Sequence, residues 1–378
     1  MAIRMAATLI LLCTALLSVG GESLVEEITA PVVGDAIDGV ADNIADGVVD
    51  VATNITSAVT DGFKEVKLVL IASDKNATFD LEKATSVLSD TAFNSALPTV
   101  VYMHGYSENR DSESVQVMSD AFLRKGSHNF VFVDWSLYAS PPYVSAFLHL
   151  PGVSAVVGDT VNDLVQAGLS RDGLWLIGHS MGGQMAAIVS RNLDFKPKRI
   201  SALDPALPGY QIPNFPNLTR DDAVLVDVIH TDAGVYGYNK PCGHVDFFPN
   251  SGRRLQPGCP RLPLLDDKDF CSHHRSWEFF AESVANEIAF PAVKCSSWDD
   301  FEDGSCPVNG TNIAYLGYKL PTQVEEGDYY LRTNDASPFA QGLKGVTVEV
   351  EETNGIAEFL GGIASKTQSF FVRVFPIF

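Results

Sequence analysis

The stretch that decides the fold runs Leu174-Trp175-Leu176-Ile177-Gly178-His179-Ser180-Met181-Gly182-Gly183-Gln184-Met185-Ala186-Ala187-Ile188-Val189. Its apolar start predicts a strand, the G-x-S-x-G segment around Ser180 predicts a tight turn, and the run from Gln184 predicts a helix. Such a turn strains the serine backbone, and the flanking glycines admit a close approach of neighbouring backbone. The pattern indicates a nucleophilic Ser180 presented above the edge of a sheet.

Short apolar or β-branched runs repeat on both sides of this stretch, separated by longer segments with helical spacing. The runs are 66–72, 99–103, 129–134, 174–177, 199–203 and 223–229. Strands that alternate with helices predict a mostly parallel sheet with helices on both faces. We therefore predict one α/β domain over residues 63–342.

The two ends of the chain differ from this domain. Residues 1–21 combine Arg4, a short apolar run and small residues, a pattern typical of a signal peptide and too short to span a bilayer comfortably. Residues 22–62 carry aspartates at spacings of three to four and are interpreted as an acidic amphipathic extension. Residues 343–378 form a C-terminal tail that is too short for a separate β-sandwich.

The composition limits the partners of the chain. With 378 residues, of which 46% are hydrophobic, it can bury a full core. Its formal net charge of −21 argues against binding to nucleic acid and against electrostatic capture by anionic membranes. Any contact with lipid is therefore expected to be hydrophobic.

Two further patterns agree with export from the cell. N-x-S/T sequons, which are candidate glycosylation sites, occur at Asn54, Asn76, Asn217 and Asn309. Removal of a signal peptide would take Cys13 with it and leave Cys242, Cys259, Cys271, Cys295 and Cys306. An odd number of cysteines in an oxidising compartment predicts that one thiol stays free or pairs between chains.

A nucleophilic serine needs an imidazole base, and the base needs a carboxylate that fixes its tautomer. The strand-like run 199–203 ends at Asp204, which should place a carboxylate beside Ser180 at the same sheet edge. We predict Asp204 as the acid. The rivals are Asp221, Asp222, Asp227 and Asp232, of which Asp232 is the strongest because it too follows a strand.

Four histidines downstream are candidates for the base: His230, His244, His273 and His274. His230 follows a strand, and His244 lies in a loop-like stretch with Asp246, so both have structural explanations. His273 and His274 are expected on a loop just before a helix over residues 277–288, where a base should lie over the nucleophile. The spacing does not choose between these two.

An oxyanion hole requires two backbone N–H groups that point at the tetrahedral oxygen. Met181, directly after the nucleophile, supplies one. The strand 99–103 leads into a histidine-glycine turn at His104 and Gly105, so Tyr106 is predicted to supply the other. Because the sequence has no metal cluster, phosphate loop or dinucleotide fingerprint, no metal and no cofactor are expected.

Several motifs together resemble the pancreatic lipase family, with insect-type members as the nearest pattern. They are residues 102–109 (YMHGYSEN), 133–136 (VDWS), 178–183 (GHSMGG), 203–206 (LDPA), 243–250 (GHVDFFPN), 271–276 (CSHHRS) and 329–334 (YYLRTN). The resemblance covers about residues 63–342 and implies a secreted lipid-ester hydrolase with the α/β-hydrolase fold. It also places the acid at Asp204 and the base at the histidine two residues after a cysteine, which is His273.

The resemblance further implies a lid, a disulfide-bounded loop that covers the site until a lipid interface opens it. Cys259 and Cys271 match its bounds, which leaves Cys295 with Cys306 as a second bridge. Cys242 is then unpaired and could link two chains in a dimer. The lid residues implied are Pro260, Leu262, Leu264, Leu265 and Phe270.

The lid and its companion loop, residues 232–243, are both short. In the family such loops resemble phospholipase A1 or galactolipase members, because less apolar cover leaves room for a polar head group beside the ester. Without a C-terminal β-sandwich, no colipase partner is expected. The alternatives are a triacylglycerol lipase with a short lid and a non-catalytic, yolk-protein-like lipid-binding or storage protein. The presence of Ser180, Asp204 and His273 favours an enzyme.

Overall fold

A computed structural model describes residues 62–347, apart from 74, 213–214, 262–266, 310–311 and 322. The predictions made for residues 1–21, for the extension up to residue 61 and for the tail beyond residue 347 lie outside the described residues. The sequon at Asn54 and the lid residues Leu262, Leu264 and Leu265 lie outside them as well.

Eleven strands form one mixed sheet in the order β10-β9-β11-β8-β7-β6-β5-β3-β4-β1-β2. They are β1 (Lys67–Ile71), β2 (Asn76–Asp80), β3 (Thr99–Met103), β4 (Asn129–Asp134), β5 (Leu174–His179), β6 (Arg199–Leu203), β7 (Leu225–Ile229), β8 (Val245–Pro249), β9 (Pro291–Lys294), β10 (Ile313–Tyr315) and β11 (Gly327–Leu331). The run from β4 to β11 is parallel throughout. Antiparallel pairings add β1 and β2 at one edge and β9 and β10 at the other.

Helices cover both faces of this sheet. They are α1 (Glu113–Lys125), α2 (Tyr143–Gln166), α3 (Met181–Arg191), α4 (Cys271–Ala285) and the short α5 (Trp298–Glu302). Along β3, Val101 and Met103 face a core shared with α2 and α3, whereas Val100 and Tyr102 face a core shared with α1 and α4. The architecture is the predicted α/β-hydrolase fold, and every named strand among the described residues belongs to this one sheet.

The predicted apolar runs coincide with β1 and β3–β7, which carry the buried centre of the sheet. Strands β2 and β8–β11 were not predicted from the pattern, because several are short or begin with charged and polar residues. The helix after the disulfide begins at Cys271 and not at residue 277. The prediction that His273 and His274 lie on a loop is therefore wrong, since both lie in the first turn of α4.

Among the described helices, only α2 has the length and hydropathy needed to span a bilayer, with a mean hydropathy of 1.3 in its most apolar window. Of that window, 61% is buried within the protein. Residues such as Leu150, Val153 and Val157 pack fully into the core beside α3. We therefore assign α2 as a core helix.

Candidate active site

The sheet topology brings the ends of β5 and β6 together. Ser180 follows β5 directly, and Asp204 follows β6, which lies beside β5 in parallel register. Because parallel strands present their carboxyl ends at one edge, both side chains emerge at the same place. The first turn of α4 adds His273, so residues from three separate segments meet at this edge.

The turn at Ser180 has the strained geometry that its sequence predicts. Ser180 has φ 55° and ψ −121°, in a region that L-residues rarely occupy. A Cβ atom on Gly178 would overlap the carbonyl of Gly182, and one on Gly182 would overlap the carbonyl of Met103. The glycines are thus required by the close contact between β5, α3 and the end of β3.

His273 and Asp204 form a buried hydrogen-bonded pair. The two atoms His273 Nδ1 and Asp204 Oδ2 lie 2.5 Å apart, and the carboxylate is fully buried. Asp204 Oδ1 accepts hydrogen bonds from the backbone N–H groups of Thr231 at 2.8 Å and Asp232 at 3.1 Å. Since a carboxylate can only accept, the neutral imidazole carries its proton on Nδ1, which leaves Nε2 as a base.

The rival aspartates have other partners. Asp232 is held by Arg254, whose Nε and Nη2 lie 2.9 and 2.8 Å from its two oxygens. Asp227 is held in the same way by Arg199, at 2.7 and 3.0 Å. Asp222 caps a short 3-10 helix and binds Arg191, and Asp221 is exposed. Among the five candidate acids, Asp204 is the one that the fold brings to a histidine.

The remaining histidines also have different surroundings. The side chain of His230 is fully buried, and its Nε2 lies 2.8 Å from Asp246 Oδ1. This contact is with Asp246 and not with Ser180. Nδ1 of His244 accepts the backbone N–H of Val226 at 3.0 Å. His274 lines the same cavity as Ser180, and burial lowers its pKa to about 3.

The backbone around Tyr106 is arranged by a buried carboxylate. Glu108 Oε2 accepts the N–H of Gly105 at 2.5 Å and lies 3.2 Å from Nδ1 of His179. Burial alone would raise the pKa of Glu108, but the neighbouring His179 lowers it below its ordinary value. Glu108 therefore ties the turn after β3 to the end of β5, beside the serine.

This arrangement leaves two backbone N–H groups near the serine without backbone partners. Within residues 62–347, as far as they are described, the N–H of Tyr106 donates to no backbone carbonyl, although the N–H of the next residue, Ser107, does. Met181 is the first residue of α3, whose amide lies before the hydrogen-bonded ladder of the helix. A Cβ on Gly105 would lie 2.9 Å from Ser180 Cβ, so the two segments are in close contact. The assignment of Tyr106 and Met181 as oxyanion donors stays a prediction.

Ser180 and His273 line a cavity of about 620 Å³. Its other lining residues are Tyr106, Ser107, Glu108, Ser112, Glu113, Ser114, Tyr143, His179, Ala206, Pro208, Tyr236, Phe270, His274 and Trp277. This volume is within the range of ordinary small-molecule sites. A lipid head group or part of an acyl chain could therefore reach the serine.

Both disulfides that the family resemblance implied are present, whereas the lid itself stays a prediction. Cys259 and Cys271 form a disulfide, and so do Cys295 and Cys306. Of the lid residues within the described structure, Pro260 is exposed, and Phe270 stacks on Tyr236 with ring centroids 4.7 Å apart. Phe270 also lines the cavity, so the C-terminal end of the predicted lid contacts the site.

An ion-pair cluster anchors the chain just before Phe270, at this end of the predicted lid, and sequence analysis missed it. Arg254 binds Asp232 on one side and Asp269, one residue before Phe270, on the other at 2.9 Å. Tyr236 OH donates to Asp269 at 2.6 Å, and the guanidinium lies 5.0 Å from the Tyr236 ring. The charges are far apart in sequence, so no local pattern could have identified the cluster.

We expect the substitution Arg254→Met to lower the free energy of unfolding by about 3 kcal/mol, because it leaves the buried Asp232 carboxylate without its counter-charge. Burial already raises the pKa of Asp232, and the Arg254 hydrogen bond offsets only part of that effect. Urea unfolding would measure the change. The control is Arg253→Met at the exposed neighbouring position, which should change stability by less than about 0.5 kcal/mol. Equal losses in both variants would contradict the assigned role.

Cys242 is a free, half-buried thiol. Burial, with Asp246 and Asp222, raises its pKa well above the ordinary value, so little reactive thiolate forms near neutral pH. Ligand-type atoms of His230, Cys242 and Asp246 lie within 4.8 Å of one another, but His230 and Asp246 are already hydrogen-bonded to each other. The disulfide-linked dimer through Cys242 stays a prediction.

The described sequons differ in accessibility. Asn76 and Asn309 are exposed, as an acceptor for a glycan must be. Asn217 is half-buried, and its Nδ2 donates to Tyr238 OH at 3.0 Å, a bond that a glycan on that atom would disturb. Glycosylation of these three residues stays a prediction.

Comparisons with known proteins find one matching family model and several similar proteins. Residues 38–339 match the family model described as Lipase. The chain is 31% identical to a pancreatic triacylglycerol lipase of Myocastor coypus over 68% of this chain and 62% of that protein. It is 29% identical to pancreatic lipase-related protein 2 of Homo sapiens over 77% of this chain and 68% of that protein.

A solved structure of an α/β-hydrolase enzyme from a deep-sea metagenome library of the Medee basin also matches part of this chain. It is 17% identical, with a TM-score of 0.27, and the match covers 46% of this chain and 67% of the enzyme. The present chain spans 62% of the length of the Myocastor coypus protein.

Proposed function

The chain belongs to the lipase family, and on that basis we propose that it is a serine hydrolase that cleaves fatty-acyl esters of lipids. The observation that carries the proposal is the buried His273–Asp204 pair, of which His273 lines the same cavity as the strained Ser180. This is the nucleophile, base and acid arrangement of acyl transfer.

In the first half of the reaction, His273 Nε2 takes the proton of Ser180 as its Oγ attacks the ester carbonyl carbon. The carbonyl oxygen becomes an oxyanion, which the N–H groups of Tyr106 and Met181 stabilise. The tetrahedral intermediate collapses, the alcohol leaves with the proton from His273, and Ser180 remains acylated. Asp204 stabilises the imidazolium by its charge and does not take the proton.

In the second half, water attacks the acyl-enzyme while His273 Nε2 takes a proton from it. A second oxyanion forms in the same place, and its collapse releases the fatty acid. The proton returns from His273 to Ser180 Oγ. The preformed Asp204 contacts keep the imidazole in place through both halves.

For the substrate we propose a polar lipid, as for a phospholipase A1 or a galactolipase. The disulfide-bounded loop spans a sequence separation of only 12 between its cysteines, which limits the apolar cover that it can provide. The cavity combines aromatic and apolar residues such as Tyr143 and Pro208 with acidic, hydroxyl and histidine side chains. A head group that is polar and an acyl chain that is apolar both have complementary surroundings there.

Triacylglycerol hydrolysis is the second candidate. It is favoured by the similarity to proteins named pancreatic triacylglycerol lipase, which are 29–31% identical to this chain. A storage or lipid-binding protein is a third possibility, but it would make no use of the hydrogen-bonded His273–Asp204 pair.

The location of the protein, the bounds of its domain and its partners are part of the same proposal. We propose that the protein is secreted, which its two disulfides favour, and that residues 63–342 form the lipase domain. We also propose that it acts at lipid surfaces without a colipase.

The test is fatty-acid release from phosphatidylcholine, a galactolipid and triolein, presented side by side to the wild type and to the Ser180→Ala variant. Release from the two polar lipids alone supports the phospholipase A1 or galactolipase assignment. Efficient triolein hydrolysis moves the assignment to a neutral lipase. Absence of release from all three lipids, together with no labelling of Ser180 by a fluorophosphonate, would leave binding or storage as the function.

A further inference from the structure

A second cleft lies between α1 and the β1–β2 edge of the sheet, and it shares no lining residue with the cavity at Ser180. We name it the edge cleft. Its volume is about 650 Å³, within the range of ordinary small-molecule sites. The end of β1, the start of β2, the segment before α1 and the outer face of α1 line it. The proposed hydrolysis makes no use of this cleft.

The edge cleft exists because α1 does not cover the last strand of the sheet. β2 is the outermost strand and, among the described strands, pairs only with β1. In that pairing Asn76 lies opposite Ile71 and Thr78 lies opposite Val69, so these four side chains share one face. Ile71 and Val69 are buried in the core beneath α1, whereas Asn76 and Thr78 are exposed. The α1 side of the sheet is thus covered at β1 and open at β2.

Asn76 is the asparagine of an N-x-T sequon, and it lines the edge cleft. Among the described residues, the amide group of its side chain has no hydrogen-bond partner. By contrast, Nδ2 of Asn217 donates to Tyr238 OH at 3.0 Å, and Oδ1 of Asn309 accepts the backbone N–H of Asn312 at 3.1 Å. Asn76 is thus the described sequon whose amide nitrogen, the atom to which a glycan is attached, opens onto a cleft without a competing bond.

The lining of the edge cleft matches the two kinds of surface that a sugar ring presents. It includes the buried apolar side chains of Ile71 and Val115, against which the C–H face of a sugar can pack. It also includes the exposed Gln116, one of whose N–H groups donates to the Asp111 carbonyl at 3.2 Å. The second N–H and the oxygen of this amide remain for the hydroxyl or acetamido groups of a sugar.

The charges of the edge cleft balance. Arg110 and Arg124 contribute two positive charges, Asp111 and Asp120 contribute two negative charges, and the other described lining residues are uncharged. Arg124 lies 3.6 Å from Asp120, and Arg110 lies 4.0 Å from Asp111, so each charge has a partner. A cleft without net charge favours an uncharged ligand over an ion. An N-acetylhexosamine is such a ligand.

We propose that Asn76 carries an N-linked glycan and that the edge cleft binds its first sugar, an N-acetylhexosamine. The donor is an oligosaccharide that is joined through C1 of this sugar to a polyprenyl diphosphate. A bond forms between Asn76 Nδ2 and C1, and the bond between C1 and the diphosphate oxygen breaks. The diphosphate leaves with the electron pair, and Nδ2 releases one proton to a base of the transferase. The inference rests on the proposed export, because this transfer takes place in a glycosylating compartment.

A sugar in the edge cleft covers the part of the sheet that α1 leaves open. It lies against Ile71 and beside the start of β2, an edge strand whose free side can otherwise pair with a second chain. Unfolding destroys the cleft, so the contacts of the sugar are lost with the fold. A single sugar on Asn76 is therefore expected to stabilise the protein, which a glycan that extends only into water would not do.

The first measurement locates the glycan. The full chain is expressed in eukaryotic cells, and protein from the medium is treated with an amidase that converts glycosylated asparagine to aspartate, beside an untreated sample. Peptide mass mapping should show this conversion at position 76 in most molecules. Secreted protein with an unmodified Asn76 would overturn the proposal. If no chain reached the medium, the proposed export would fail and the glycan with it, whereas ester hydrolysis by the cell extract would judge the catalytic function separately.

The second measurement asks whether the sugar is bound. Thr78→Val removes the sequon and leaves Asn76 in place, whereas Thr78→Ser retains the sequon. An endoglycosidase first trims every glycan to its first sugar. We expect the unfolding equilibrium constant, from urea titration, to be about five- to tenfold higher for Thr78→Val, the effect of one net hydrogen bond. Valine favours a strand more than serine does, so the intrinsic effect of the substitution has the opposite sign. Equal constants would refute the bound sugar.

A cycle of variants assigns the effect to the edge cleft. Gln116→Trp places a large ring in the cleft, and Gln166→Trp, at the exposed end of α2, is the matched control outside it. Each is combined with Thr78→Val and with Thr78→Ser. The ratio of unfolding constants between the two Thr78 variants should fall to about one with Gln116→Trp and stay at about five to ten with Gln166→Trp. The same ratio with both would place the glycan outside the cleft and overturn the proposal.

Discussion

Replacing Ser180 with alanine is expected to lower kcat for ester hydrolysis about 10⁶-fold, the size of effect seen when a serine nucleophile is removed from such a triad. The oxyanion donors and the cavity remain, so a small residual rate above that in water should persist. No hydrogen bond of the Ser180 side chain stabilises the described structure, so the free energy of unfolding should change by less than about 1 kcal/mol.

The measurement is the rate of p-nitrophenyl ester hydrolysis together with urea unfolding of the same preparation. Ser305→Ala is the matched control, because Ser305 is exposed and lies outside the cavity. That variant should keep the wild-type rate. If Ser180→Ala retained a rate within tenfold of the wild type, another residue would have to be the nucleophile.

The second large effect concerns Asp204. Asp204→Asn should lower kcat about 10⁴-fold, because an amide NH₂ in place of Oδ2 would donate to His273 Nδ1 and move the ring proton to Nε2. Nε2 would then have no lone pair with which to take the serine proton. The amide oxygen can still accept the N–H groups of Thr231 and Asp232, so the backbone around it should stay in place.

Steady-state kinetics at neutral pH would measure this loss, with Asp232→Asn as the companion variant. Asp232 was the strongest rival acid in the sequence, but its partner is Arg254. Its substitution should mainly reduce stability, by about 1–3 kcal/mol, and change kcat by no more than about tenfold. A greater loss of kcat in Asp232→Asn than in Asp204→Asn would reverse the assignment of the acid.

The choice of the base illustrates how far sequence reasoning extends. The residues around His230, His244, His273 and His274 left the base open between the last two, and only the resemblance to a family favoured His273. In the structure both lie in the first turn of α4, one residue apart. His273 meets Asp204, whereas the His274 ring contacts Phe270 and Trp277, because successive residues of a helix point in different directions.

The sequence by itself determined the centre of the sheet, the turn at Ser180 and the α/β class. These features depend on local patterns: buried strands are short apolar runs, and the strained turn requires glycines at fixed positions. The strands β1 and β3–β7 and the position of Asp204 after β6 follow from such patterns directly. Strands β2 and β8–β11 do not, because their pairing partners rather than their composition make them strands.

Only the tertiary structure decided which charged and aromatic groups meet. Arg254 joins Asp232 to Asp269, and Glu108 joins the turn after β3 to His179, across separations that no periodicity records. Trp277 fits the pattern of an ordinary core residue on α4, yet it lines the cavity that also holds Ser180. Local spacing is set by the geometry of one helix or strand, whereas these contacts depend on how separate elements pack, and that information is not contained in any single stretch of the chain.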